Sequence, residues 1–73
     1  MADQVNEFFV KRAKLSEEIA GQHIHDKDWD NALKNLNQAY NFFTKAGLKD
    51  DAERVKKRHG EVRKLKESAP KKG

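Results

Sequence analysis

One proline in 73 residues, at position 70, and glycines only at positions 21, 47, 60 and 73 leave this chain almost without helix breakers. Proline and glycine are the residues that stop helices and turn strands. A chain that lacks them over most of its length is bound to long, uninterrupted elements. Those elements are not strands: β-branched residues are few, no Asn-Gly or Asp-Gly dipeptide occurs, and no stretch alternates apolar with polar residues. Apolar residues return instead at steps of three and four, the period of a helix with one buried face.

Three such helices are expected. The first starts near Asp3, a good cap residue, and carries Val5, Phe8, Phe9, Ala13, Leu15, Ile19, Ala20 and Ile24 as its apolar positions. Gly21, inside it, allows another helix to come close. The second has Asp28 as its N-cap, Asp30 in the first turn, and Trp29, Ala32, Leu33, Leu36, Ala39, Tyr40, Phe43 and Ala46 facing inward. It closes on Gly47, with Leu48 and Phe43 spaced for a Schellman cap. The third opens on Asp50 with Glu53 as a capping-box partner. It places Leu48, Ala52, Val55, His59, Val62 and Leu65 on one stripe, packed as a lid along the first two helices with His59 in the interface. Short connections make neighbours antiparallel. The expected fold is all-α: a compact antiparallel three-helix bundle forming one domain over residues 1–69, with helices about 3–26, 29–46 and 51–67 and a basic flexible tail over 70–73.

Composition narrows the function. A chain this short buries only about 60% of the surface its unfolded form exposes, too little to enclose a large active site. With no cysteine there is no disulfide framework, thiol nucleophile or Cys-ligated metal. No apolar run approaches the roughly 20 residues of a membrane span, and the first residues lack the pattern of a signal peptide, so the expected location is cytoplasmic. The net charge of +4 is uneven: residues 1–47 sum to −1 and residues 48–73 to +5. A basic last third permits contact with nucleic acid or an acidic partner.

Ser16, Ile19-Ala20 and His23 in the first helix, Asp28-Trp29 at the turn, and Ala32, Leu36 and Ala39 in the second helix together resemble a tetratricopeptide (TPR) motif over residues 16–43. Ser16 and His23 stand where that family places large aromatic residues. Over the whole length, Trp29, Ala32-Leu33, Ala39 and the run Arg63-Lys64-Leu65-Lys66 look like a microtubule-interacting and transport (MIT) domain, itself a three-helix bundle. Val62 to Lys66 with Ala69-Pro70-Lys71 also looks like the opening helix of the WHEP domains appended to aminoacyl-tRNA synthetases. The TPR-like and MIT-like resemblances imply helical packing around small residues and a protein-binding role.

Catalytic chemistry has no constellation to rest on. No serine or threonine has a His and carboxylate at nucleophile spacing, and no glycine-rich phosphate loop is present. Asp26, Asp28 and Asp30 suit helix capping. His23 with Asp26 has ligand spacing on a helix but no third partner, so no metal and no cofactor are expected. The doubled phenylalanines stand out, because adjacent residues cannot both enter one narrow stripe. Phe8, Phe9 and Phe42 therefore mark a widened apolar surface, and Lys56, Arg63 and Lys64 mark a basic one. The expected function is a non-catalytic interaction or adaptor module. It binds a peptide or helix, or a second copy of itself, through an apolar face between helices. The alternative is a small RNA-binding helical protein.

Overall fold

A computed structural model describes residues 2–68, with side chains from Asn6 onward. The expected tail over 70–73 and the side chain of Val5 lie outside the described residues. The chain is a three-helix bundle with no strand among the described residues: α1 is Ala2–His25, α2 is Trp29–Lys45 and α3 is Lys49–Ser68. α1 is already helical at Ala2, so Asp3 lies within the helix and does not cap it.

Both turns are built the same way. At the end of α2, Gly47 takes a positive φ of 77°, Gly47 N–H donates to the Thr44 carbonyl, and Leu48 N–H donates to the Phe43 carbonyl at 2.9 Å. This is the Schellman pair. At the end of α1 the same bonds recur twenty residues earlier. Lys27 stands at φ 61°, its N–H donates to Ile24, and Asp28 N–H donates to His23 at 2.8 Å. Here a lysine occupies the left-handed position that favours glycine.

In each turn the residue after the left-handed one also starts the next helix. The Asp28 carbonyl accepts from Ala32 N–H, and the Leu48 carbonyl accepts from Ala52 N–H. α3 therefore begins at Lys49, and Asp50 lies in its first turn instead of capping it. Asp28 does sit at the N-cap of α2, but its carboxylate makes no bond to the helix backbone. It accepts instead from the Asn31 side-chain amide at 2.7 Å.

Short turns reverse the chain twice, and named contacts fix the result. Phe9 near the start of α1 stacks on Phe42 near the end of α2, with ring centroids 6.0 Å apart. Lys66 near the end of α3 reaches Asp30 at the start of α2, at 2.6 Å. α2 is the central element, packed along both neighbours. The core is Ala13 and Ala20 from α1, Ala32, Leu36, Ala39 and Phe43 from α2, and Ala52, Val55 and Val62 from α3. Alanines let the helix axes approach, and Leu36, Phe43 and Val55, the largest fully buried side chains, fill the space between them.

Ala20, Ala32 and Ala39, the small residues of the resemblance, are all fully buried. Gly21, expected to let another helix come close, has none against it. A Cβ there would meet only the Arg58 guanidinium of α3, at 3.7 Å.

α3 is less of a lid than its stripe implied. It lies against α2 and reaches α1 through long side chains: Glu17 receives Arg54 at 2.9 Å and Arg58 at 3.7 Å. Arg54 also covers the Phe43 ring, 5.7 Å from its centroid, and pairs with Asp51. Leu65 drops out of the packed stripe and is 48% exposed, while its neighbour Lys66 is the residue that turns to α2. His59 is half-buried at the edge of the α2–α3 contact and is not sealed within it.

Candidate interaction groove

The apolar residues of α1 divide into two lines. Phe9, Ala13, Ala20 and Ile24, with the buried polar Ser16 among them, follow steps of four and three and turn toward α2 and α3. Phe8, Leu15 and Ile19 form a second line, seven and then four residues apart, displaced toward the side away from α3. That second line stays in solvent: Phe8 is 55%, Leu15 48% and Ile19 38% exposed. Leu15 and Ile19 are therefore surface residues and not the core positions expected of them. α2 supplies the opposite wall. Between the two helices runs an open groove of about 310 Å³, lined by Arg12, Leu15, Ser16 and Ile19 on α1 and Asn35, Gln38 and Phe42 on α2.

The doubled phenylalanines close one end of this groove. Phe8 meets Phe9 edge to face at 5.7 Å, and Phe9 stacks on Phe42. Such ring pairs contribute about 0.5–1.5 kcal/mol beyond area burial. Two cations sit over the rings, the Arg12 guanidinium over Phe8 and the Lys45 ammonium over Phe9, each 5.7 Å from the centroid. Phe8, Phe9 and Phe42, marked by the sequence as a widened surface, are thus brought together. Leu15, Ile19 and Arg12 were missing from that set. The signal for them was present in the spacing of Phe8, Leu15 and Ile19, which is helical in its own right.

Lys56, Arg63 and Lys64 lie elsewhere, on α3. Lys56 and His59 line a second, smaller groove of about 220 Å³ with Leu36, Asn37 and Tyr40 of α2. Arg63 stands one i,i+7 step beyond Lys56 on the same edge and pairs with Glu67 at 3.5 Å. Lys64 projects from a different edge of the helix and is exposed.

The α1–α2 turn gathers the polar residues weighed for metal binding. His23 Nδ1 lies 3.5 Å from the Asp28 carboxylate. The hydrogen bond from the Asn31 amide holds that carboxyl below the ordinary aspartate range, against a smaller opposing effect of partial desolvation. Among the described residues no three His, Asp or Glu side chains gather into a metal-holding group. Among them, too, no helix is long and apolar enough to cross a membrane.

No protein-family model matches the chain, and searches of curated proteins and of solved structures return no match to it.

Proposed function

We propose that this chain is a non-catalytic protein-interaction module that binds a partner segment in the α1–α2 groove. The observation that carries this reading is the exposed line Phe8, Leu15, Ile19, continued across to Phe42. A small domain has little apolar surface to spare, and three exposed large side chains in line, two of them lining a groove with the half-buried Phe42, are a surface awaiting a partner. The aromatic end supplies rigid anchors, and the alanine-rich contact beneath holds the two walls at a fixed separation. The spacing that resembles TPR and MIT domains agrees with this role.

The test is an amphipathic helical peptide of about 16 residues with leucines on one face and glutamines elsewhere. Backbone amide shifts of the protein are followed as the peptide is added. The expected shifts cluster at residues 8–19 and 35–45 and vanish in the Leu15→Lys/Ile19→Lys double variant, whose circular dichroism stays helical because both positions are exposed. Shifts scattered over the surface, or unchanged in the double variant, would remove the groove from the reading.

A second reading has one observation in its favour. Lys49, Lys56 and Arg63 follow one another at seven-residue steps along a single edge of α3. That spacing is roughly 10 Å along the helix and supports contact with a phosphate backbone. Binding of this kind weakens steeply with added salt, and absence of RNA binding at low salt would end it.

A further inference from the structure

The groove has a chemistry that selects among partners. Resting on the groove as the binding site, we infer that its occupant is an amphipathic helix whose polar flanks are acidic.

Three observations carry this. The first is electrostatic: the lining contains one cation, Arg12, two carboxamides, Asn35 and Gln38, and no carboxylate. Lys45 adds a second cation at the aromatic end. Lys34, Gln38 and Lys45 share one edge of α2 by helical spacing, so the rim on that side is cationic as well. Arg12 and Lys45 have no carboxylate partner among the described residues, whereas Arg54, Arg58, Arg63 and Lys66 are all paired. Arg12 and Lys45 are thus left for an incoming anion beside the apolar line, whereas Lys49, Lys56, Lys57 and Lys64 of α3, also unpaired among the described residues, lie away from it.

The second observation is backbone chemistry. Both walls are helices, which keep their own N–H and C=O groups bonded internally, so the groove presents no strand edge. An extended peptide would find only a few side chains, Arg12, Ser16, Asn35 and Gln38, for its many backbone groups. A helix brings its backbone already paired. The line from Phe8 to Ile19 spans eleven residues of α1, roughly 16 Å, which matches about three turns of a bound helix with apolar anchors on one face.

The third concerns a second copy of this chain. Two copies meeting groove to groove would bring two linings together that each hold Arg12, lie beside Lys45 and contain no carboxylate, in molecules that each carry a net charge of +4. Isologous pairing repeats every charge across the axis, and like charges in an interface oppose association. An acidic partner meets the same cations with the opposite sign.

The experiment compares three helical peptides with the same leucine face and flanks of glutamate, glutamine or lysine. Binding to the full chain is measured by fluorescence anisotropy in about 20 mM salt, and the site is located by amide shifts. The glutamate peptide is expected to bind about tenfold more tightly than the glutamine peptide, and the lysine peptide more weakly than either. In about 0.5 M salt, where screening acts within a few ångströms, the advantage of glutamate should shrink to about twofold. Arg12→Gln/Lys45→Gln should remove most of that advantage, bringing the glutamate and glutamine peptides to within about twofold of one another. Both positions are exposed, and circular dichroism checks that the fold is retained.

Equal affinity for the glutamate and glutamine peptides would overturn the acidic-partner inference and leave the groove reading standing. Failure of all three to shift groove residues would overturn both. Glutamate-peptide shifts confined to the Lys56–Arg63 edge of α3 would overturn the inference in favour of that edge. A dimer in sedimentation equilibrium that is lost in Leu15→Lys/Ile19→Lys would overturn it in favour of a second copy.

Discussion

Leu36→Ala removes three carbon atoms from the point where all three helices contribute to the core. Leu36 is fully buried, and the core residues around it include Ala13, Ala20, Ala32 and Ala39. Alanines have no rotamers with which to swing into a void, so the cavity collapses poorly. Leu→Ala substitutions of this kind cost about 2–5 kcal/mol, rising with the cavity that remains, and the alanine surroundings place this one in the upper half of that range. A domain of this size has a total stability of about 4–10 kcal/mol, so the variant should be at the edge of unfolding at room temperature. Urea denaturation followed by circular dichroism at 222 nm measures the loss. Leu15→Ala is the matched control: the same side chain, on the same kind of helical stripe, but 48% exposed. It should cost no more than about 0.5 kcal/mol. A loss below 1 kcal/mol for Leu36→Ala, or equal losses at the two positions, would refute the assignment of the packed face.

The glycines should respond with opposite signs. Gly47→Ala places a Cβ at φ 77° and should destabilise by about 1–2 kcal/mol although no atom obstructs it; Gly60→Ala, mid-helix and equally unobstructed, should stabilise by about 0.5–1 kcal/mol, both read from thermal melts. Lys27→Gly should relieve the left-handed lysine and stabilise by about 0.5–1 kcal/mol, and a loss there would mean the α1–α2 turn is not the twin of the α2–α3 turn. Glu17→Gln should loosen α3 from α1, costing about 1 kcal/mol at low salt and less as salt screens the half-exposed arginines; amide hydrogen exchange should quicken in α3 before α2. The Asp28 carboxyl, held below its ordinary value by Asn31, contributes stability above pH 4 that is lost as pH falls through the lowered value; in Asn31→Ala the carboxyl should titrate nearer the ordinary value, as a carboxyl-carbon NMR titration will show.

The parts of this fold set by local chemistry were readable from the sequence. Gly47, Leu48 and Phe43 fix a helix end through bonds spanning six residues, and nothing distant decides their geometry. Ala20, Ala32 and Ala39 were readable because only small residues permit close helix axes. The start of α3 was not, because Leu48 ends one motif and begins the next, and a capping-box pair at Asp50 and Glu53 competes for attention two residues too late. Lys27 was hidden for a related reason: the turn requires a left-handed residue, and the sequence places there one that rarely adopts it. Leu15, Ile19 and Leu65 show the harder limit. Helical period fixes which residues share an arc, but which edge of the arc is covered depends on where a third helix lands. α3 settles beside α2 and leaves the Phe8–Ile19 side open, and that decision made a core stripe into a candidate binding groove.

An odd number of antiparallel helices has a mechanical consequence. The chain enters at the free end of α1 and leaves from the opposite end of the bundle, at the close of α3. Tension applied between those two points draws α1 and α3 outward in opposite directions along their axes, with α2 between them. The α1–α2 and α2–α3 contacts are then loaded in shear, all along their length at once, and do not open one residue at a time from an end. Resistance to stretching is then governed by how fast those contacts yield, and Leu36, Phe43 and Val55, the large side chains seated between the helices, must be dragged past their neighbours for that to happen.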